Sequence, residues 1–176
     1  MRVIRSALIA ACLGSAIWSQ ELPPQEGYRW ERVPEVKAAV LVPVGWHFKV
    51  DKRGETVGYF VTRENVDETG KFETGLTVNV MRRPGAHDSE DYATVFLDGF
   101  AAGKTLLGTW EIHQGPFVGR GCRVEDEGSV LHTLAFANSK TNTFYLAIFE
   151  APKAAWGDAW RIGERIVKML YIDDEI

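Results

Sequence analysis

The feature that most constrains this chain is a pair of segments that are apolar on both faces. Residues 130–138 and 142–150 carry apolar side chains at odd and even positions alike, and only Ser139-Lys140-Thr141 separates them. Such an arrangement is typical of two strands joined by a tight hairpin loop. A strand that is apolar on both sides needs cover on both faces, so this pair is predicted to lie in the middle of a sheet.

Further strand candidates precede this hairpin, and short turns join most of them. Leu76, Val78 and Val80 alternate cleanly on one face of their segment, as expected for a strand. Gly119 and Gly121 predict either a bulge or a close approach of backbone. The predicted strands before the hairpin are residues 28–33, 38–42, 47–52, 56–63, 74–83, 109–113 and 117–127.

Two helices complete the predicted fold. The first is a crossover helix of about five turns, capped by Ser89 and running past Gly103 to Leu106. The second is C-terminal and opens at Pro152, and the acidic residues 173–175 after it are expected to be solvated. The predicted class is α+β, with a central antiparallel sheet of about six to eight strands packed between helices as an α/β/α sandwich. It forms a single domain over residues 28–176.

The pattern of the first 19 residues predicts a targeting segment rather than part of this domain. Arg2 and Arg5 precede an apolar run that is shorter than the roughly 20 residues of a membrane-spanning helix. We expect a signal peptide over residues 1–19, or 1–16, then a polar leader over residues 20–27. The mature protein would be periplasmic or secreted, with no integral membrane segment. Cys12 ends a stretch that resembles a lipobox, so a lipoprotein anchored at Cys12 is the alternative.

The net charge limits the classes of partner to be expected, and the cysteine content limits the disulfides. Loss of the signal peptide leaves 18 Lys and Arg residues against 24 Asp and Glu residues, a formal charge of −6. An acidic domain without a basic run is a poor ligand for nucleic acid. Cys122 is the only cysteine after residue 19, so no internal disulfide is expected, and its alternation with Val124 predicts a small buried hydrophobe.

Motifs for chemistry are few. The sequence contains no nucleophile elbow, P-loop or dinucleotide fingerprint. A metal site built from dispersed histidines stays open, although no two of them have ligand spacing. The histidines are His47, His87, His113 and His132.

Two acidic segments allow a functional or an ordinary interpretation. Glu125 and Glu127 point to the same side of a strand, and such a pair could hydrolyse a sugar only if both carboxylates lined a cleft. The alternative is that these residues form an ordinary acidic turn at the end of the strand. Residues 65–70 resemble the start of a calcium-binding loop, but Leu76 stands where that loop needs a glutamate. A turn is therefore predicted.

Tryptophans provide the remaining signal. Trp156 and Trp160 lie one helical turn apart on an apolar stripe, so they either pack in the core or form a partly exposed patch. The candidate interaction surface consists of Trp46, Trp110, Trp156 and Trp160.

The turn Pro43-Val44-Gly45-Trp46, which follows an apolar strand, resembles the P-x-G-W turn that opens PsbP-like domains. The later order is also similar: a strand at residues 74–80, a crossover helix, the segment 142–146 and a C-terminal helix containing Gly163-Glu164. Over residues 28–173 the chain thus resembles a PsbP-like domain of the Mog1/PsbP superfamily, and we expect a bacterial exported member.

This resemblance implies a sheet between helices and a non-catalytic task, such as assisting a photosystem, binding a small GTPase or acting as an envelope protein or secretion chaperone. It carries over no catalytic residues and no cofactor. We therefore expect an exported, non-enzymatic binding or assembly-assisting protein with a protein partner in the cell envelope. The alternatives are a periplasmic hydrolase that uses dispersed acids, or a carrier of a small ligand or metal.

Overall fold

The structure, a computed structural model, describes residues 22–82 and 88–176. The predicted signal peptide, Cys12 and His87 lie outside the described residues. Within them the strands are β1 (Tyr28–Val33), β2 (Ala38–Pro43), β3 (His47–Arg53), β4 (Thr56–Thr62), β5 (Gly75–Arg82), β6 (Thr105–Gln114), β7 (Phe117–Asp126), β8 (Ser129–Asn138), β9 (Thr143–Pro152) and β10 (Tyr171–Ile172). The helices are α1 (Val66–Thr69), α2 (Ser89–Ala101) and α3 (Trp156–Lys168), with 3-10 turns at Pro34–Val36 and Lys153–Ala155.

Seven strands form the central antiparallel sheet, in the order β3-β4-β5-β9-β8-β7-β6. The hairpin of β8 and β9 occupies its middle, with Leu134 opposite Ala147 and Phe136 opposite Tyr145. The predicted α+β class and central sheet are therefore confirmed, and the two-sided apolar pattern of this hairpin correctly predicted its place.

Each face of the central sheet has a different cover. Helix α2 packs on β7, β8 and β9 from one side. Helix α3 packs on the opposite side together with a three-stranded sheet of order β1-β2-β10. Every residue of β2 is buried, because this strand lies between its own sheet and the main core. The sequence predicted β1 and β2 as strands but did not predict this second sheet.

Helix α2 differs from its prediction at both ends. Its N-cap is Asp88, whose side chain accepts a hydrogen bond from the Glu90 N–H, and not Ser89. The helix has 13 residues rather than about five turns. It ends because Gly103 turns the chain with a φ of +76° and Leu106 already belongs to β6. No helix in residues 22–82 and 88–176 has the length and apolar character needed to cross a membrane.

The C-terminal tail is built into the domain, so the expectation of a solvated acidic end is wrong. Asp173 and Asp174 are buried. The Asn138 side chain donates hydrogen bonds to the main-chain oxygens of Asp174 (2.7 Å) and Ile176 (3.0 Å), and the Tyr145 hydroxyl also donates to Ile176 (2.6 Å). Polar partners in the core thus offset the cost of burying the tail.

Cys122 is buried on the α2 side of the sheet together with Val124, as predicted. Burial raises the pKa of the Cys122 thiol, which disfavours the reactive thiolate. The cysteine therefore acts as a small apolar residue of the core.

Candidate functional site

Helix α2 leaves one half of the central sheet uncovered on its own side. Helix α2 covers β7 to β9, whereas among the described residues it is the loop between β4 and β5, with the four-residue helix α1, that overlies β3, β4 and β5. Between this loop and the strands lies a groove of about 560 Å³. We call it the aromatic groove, because Trp46, Phe48, Phe60 and Phe72 line it.

Local hydrogen bonds hold the loop that forms one wall of the aromatic groove. Glu64 accepts hydrogen bonds from the N–H groups of Glu73 (3.3 Å) and Thr74 (3.0 Å) and pairs with Arg63 at 3.0 Å. Burial alone would raise the pKa of Glu64, but the hydrogen bonds from Thr74 and Glu73 bring it below its ordinary value. The ionised Glu64 carboxylate therefore holds the two ends of the loop together, and we call this contact the clamp.

The P-x-G-W turn places Trp46 at the groove. The Trp46 N–H donates to the Pro43 carbonyl (3.0 Å), and Gly45 has a φ of +84°, the conformation that a type II turn requires at its third position. The Arg29 side chain donates to the Trp46 carbonyl at 3.2 Å. This turn orients a side chain of the candidate interaction surface.

The charges along the aromatic groove are paired. Lys49 on β3 and Asp67 on α1 join its two walls at 2.5 Å, and the hydrogen bond and charge of Asp67 raise the pKa of Lys49. Asp51 pairs with Arg53 at 2.9 Å, and Arg29 pairs with Glu31 at 2.9 Å. A groove whose charges neutralise one another suits an uncharged, largely apolar ligand surface.

The other three predicted tryptophans meet on the opposite face of the sheet. Trp156 and Trp160 stack with ring centroids 5.2 Å apart, and His132 lies between Trp160 (4.3 Å) and Trp110 (4.6 Å). All three tryptophans are half-buried against the core. The four tryptophans of the candidate interaction surface therefore lie at two separate places. Trp46 lies at the aromatic groove, and Trp110, Trp156 and Trp160 form what we call the tryptophan cluster.

Gly121 explains how the Trp110 ring reaches His132. A Cβ at Gly121 would lie 2.2 Å from the Trp110 ring, so the ring crosses β7 where no side chain stands. The predicted close approach of backbone is found at Gly119, where a Cβ would lie 2.3 Å from the Ala135 carbonyl oxygen, whereas the group that approaches Gly121 is a side chain. The register of β7 with β6 and β8 is regular at Gly121.

Arg123 completes the tryptophan cluster. Its guanidinium lies over the rings of Trp160 (4.6 Å) and Trp156 (5.2 Å), and Nη2 is 3.3 Å from Nδ1 of His132. Because arginine can only donate, Nδ1 accepts and the ring proton is on Nε2. Burial first, and then the charge of Arg123, lowers the pKa of His132 to about 3, so the imidazole is neutral.

The structure does not bring Glu125 and Glu127 together in a cleft. Glu125 pairs with Lys153 at 2.5 Å, and Glu127 occupies the hairpin turn after β7 with a φ of +45°. A different acid, Glu150, has a perturbed pKa instead. Burial and the charge of Glu64 raise the pKa of Glu150, although Glu64 is engaged in clamping its loop.

The three described histidines have different environments: His47 lines the aromatic groove, His113 is exposed on β6 and His132 is buried. In the described part of the chain no three His, Cys, Asp or Glu side chains are grouped as metal ligands. Where a turn was expected over residues 65–70, the structure has the four-residue helix α1, with Asn65 as its N-cap and Gly70 as its C-cap.

Sequence reasoning missed the wall of the groove. Phe72 is the single aromatic residue of the mainly polar segment 63–74 between β4 and β5, and this was the available signal in the sequence. Nothing in the sequence indicates the contribution of Glu64, because its hydrogen bonds depend on the path that the loop takes in the folded structure.

The fold is that of a PsbP-like domain. The structure is similar to the solution structure of cyanobacterial PsbP (CyanoP) from Synechocystis sp. PCC 6803, with a TM-score of 0.52 and 11% identity over 93% of this chain and 98% of that chain. The predicted PsbP-like resemblance is confirmed at the level of the fold, which is all that such a low identity establishes.

A crystal structure from Bacteroides thetaiotaomicron VPI-5482 shows a weaker similarity, with a TM-score of 0.39 and 10% identity over 77% of this chain and 44% of that chain. This score is too low to bear on fold or function. No protein-family model and no curated protein sequence matches the chain.

Proposed function

We propose that this protein is an exported, non-enzymatic binding or assembly-assisting protein, and that its aromatic groove receives an apolar segment of a protein partner in the cell envelope. The observation that carries the proposal is the uncovered half of the central sheet, where four aromatic side chains line one groove. Export is supported by the basic and apolar pattern of residues 1–19.

The rim of the groove favours a protein as the occupant. Val44, in the turn next to Trp46, is 74% exposed. An exposed apolar residue beside an aromatic groove extends the apolar surface beyond the groove, as is typical of surfaces that bind proteins. Tryptophan is also enriched among the residues that dominate binding energy.

The charged groups of the groove favour binding over catalysis. Lys49 and Asp67 neutralise each other, as do Asp51 and Arg53. Catalytic sites instead use groups whose pKa values are pushed apart within a cleft. The dispersed-acid hydrolase therefore has less support than the binding protein.

The first experiment is site-specific photocrosslinking in cells with the full-length tagged protein. A crosslinking residue at Phe72 should capture one envelope protein, and the variant Trp46→Ala should reduce that capture at least fivefold. A crosslinking residue at Val95, which is 71% exposed on α2, is the matched control and should not capture it. Equal capture from both positions, or no protein captured from Phe72, would contradict the proposal.

A small-ligand carrier is the second candidate, because about 560 Å³ lies within the usual range of small-molecule sites. A thermal-shift screen with a small-molecule extract of the host cells tests it. The intact mass of the purified protein tests export in the same preparation: loss of 16 or 19 residues supports secretion, a lipid on Cys12 supports anchoring, and the full-length mass contradicts both.

A further inference from the structure

The aromatic groove continues along the sheet beyond Phe60. A second cavity of about 200 Å³ adjoins the groove, and Asp51 and Phe60 line both spaces. The residues around this second cavity occupy alternate positions of β3, β4 and β5, so their side chains share one face of the sheet. We call it the Gly58 pocket, and it is lined by Asp51, Arg53, Thr56, Gly58, Phe60 and Asn79.

Gly58 provides the floor of this pocket. In the register of the sheet it stands between Asp51 on β3 and Asn79 on β5. These two residues are therefore about 10 Å apart, which is twice the spacing between neighbouring strands, and no side chain stands between them. A Cβ at Gly58 would lie 3.1 Å from Oδ1 of Asn79 and 3.4 Å from the Phe60 ring. A larger residue at position 58 would thus take up the space that the glycine leaves.

The polar groups on either side of Gly58 have unused hydrogen-bonding capacity. Oδ2 of Asp51 accepts a hydrogen bond from Nε of Arg53 at 2.9 Å, which leaves Oδ1 of Asp51 as an acceptor. Within residues 22–82 and 88–176 nothing hydrogen-bonds the Asn79 side chain, and its amide can both donate and accept. The pocket therefore offers an acceptor on one side and a donor with an acceptor on the other.

The charges around the Gly58 pocket favour a neutral ligand group. Asp51 lies between Lys49 and Arg53 on the same face of β3. These two cations disfavour an ammonium group beside Asp51, and Asp51 itself disfavours a carboxylate. A primary carboxamide is neutral, and it can donate from its nitrogen to Asp51 while its oxygen accepts from the Asn79 side chain.

We propose that the Gly58 pocket binds the carboxamide of a glutamine or asparagine side chain, two positions from the apolar residue that occupies the aromatic groove. This inference rests on the proposed function, in which a protein segment occupies that groove. Phe60 and Gly58 are two residues apart on β4, a distance of about 7 Å, and alternate residues of an extended chain have the same spacing. The partner segment is therefore extended along β4.

Matched peptides test the ligand. Acetyl-Gln-Ser-Phe-Ser-Gln-N-methylamide is titrated into the ¹⁵N-labelled protein while the indole N–H signal of Trp46 is followed by NMR. The tested residue stands on both sides of Phe, so either chain direction fits. This peptide should bind about tenfold more tightly than the peptides with Met or Glu in place of Gln, because it alone gains both hydrogen bonds.

The outcomes separate this inference from the proposed function. Equal affinity of the Gln and Met peptides, with a saturable shift of the Trp46 signal by both, would overturn the carboxamide site and leave the groove as the binding site. Absence of any shift of the Trp46 signal would contradict both proposals.

A change of specificity tests the contact with Asn79. Asn79→Asp removes the amide donor and adds a second carboxylate, so the preference should turn from the Gln peptide to one with Lys in its place. Lys52→Ala is the matched control, because Lys52 is exposed on the other face of β3, and it should bind like the wild type. An unchanged preference for Gln in Asn79→Asp would mean that Asn79 does not contact the ligand.

Discussion

At the scale of single residues, the least ordinary environment in this protein is that of His132. Its ring is 5% exposed and lies between two indole rings, with the Arg123 cation at its edge. A second positive charge there would be both desolvated and repelled. The histidine therefore stays neutral in the folded state near neutral pH, and it cannot be a physiological pH sensor.

His132 should make the protein less stable in mild acid. The ordinary pKa of 6.5 falls to about 3 in the folded state, so below pH 6.5 the unfolded chain binds a proton that the folded protein does not. The free energy of unfolding should decrease by about 1.4 kcal/mol per pH unit between pH 6 and pH 4 from this group. Urea unfolding of the wild type and of His132→Phe, which keeps a ring between the indoles, measures the difference.

Other carboxylates titrate in the same range, so the informative quantity is the difference between the two proteins. Wild type should lose more stability than His132→Phe as the pH falls. Parallel curves for the two proteins would show that His132 is not held neutral by the fold.

At the scale of elements, the contact of α3 with the sheet depends on one glycine. A Cβ at Gly163 would lie 2.5 Å from the Phe149 ring, so the helix approaches β9 closely at this position. The same approach brings Trp156 and Trp160 against Phe149, at centroid distances of 6.0 and 5.7 Å. The tryptophan cluster thus depends on where the helix lies.

Alanine substitutions at two glycines of α3 should affect the free energy of unfolding differently. Gly163→Ala should lower the free energy of unfolding by about 1–3 kcal/mol, because the methyl group overpacks the contact with Phe149. Gly157→Ala, where a Cβ has no atom within 4 Å, should leave it unchanged or raise it by up to about 1 kcal/mol. Chemical denaturation measures both, and a destabilised Gly157→Ala with an unaffected Gly163→Ala would refute the packing argument.

The loop between β4 and β5 should depend on Glu64. Glu64→Ala leaves the N–H groups of Glu73 and Thr74 without their acceptor and should cost about 1–3 kcal/mol. Hydrogen exchange at those two amides should accelerate. Glu68→Ala, at an exposed position of α1, should change stability by less than about 0.5 kcal/mol; an equal effect of the two variants would argue against the clamp.

At the scale of the whole molecule, the C-terminal tail connects the two sheets. Strand β10 pairs with β2, and the Asp173 N–H donates to the Lys37 carbonyl at 3.1 Å, while the residues after it bind β8 and β9. The three-stranded sheet is thereby fixed against the central one. Because β2 leads directly through the Pro43–Trp46 turn into β3, this connection also positions one end of the aromatic groove.

Buried hydrogen bonds should matter more to the tail than its ion pair. Asn138→Ala leaves the buried Asp174 carbonyl without its donor and removes one of the hydrogen bonds to Ile176, which keeps that of Tyr145, and it should lower the free energy of unfolding by about 1–3 kcal/mol. Lys140→Ala removes an exposed partner of Asp174 and should cost less than about 1 kcal/mol. Urea denaturation compares them, and a larger loss for Lys140→Ala would reverse this ranking.

Much of the fold was predictable because its signals are local. The alternation of β5, the two-sided apolar β8 and β9, and the position of Cys122 follow from side chains that alternate along a strand. The site was predictable only in part. Trp46 and the tryptophan cluster were all named, but which of them lie together depends on the pairing of strands that are distant in sequence.

By itself, the sequence determined the antiparallel α+β class, the central hairpin, the P-x-G-W turn and the helix that carries Trp156 and Trp160, because each depends on residues a few positions apart. The tertiary structure alone decided the second sheet, the burial of Asp173 and Asp174, the open half of the central sheet and the contact of Arg123 with the rings of Trp156 and Trp160. These features depend on which surfaces meet across the core, and a surface is left open only when no other element of the fold covers it.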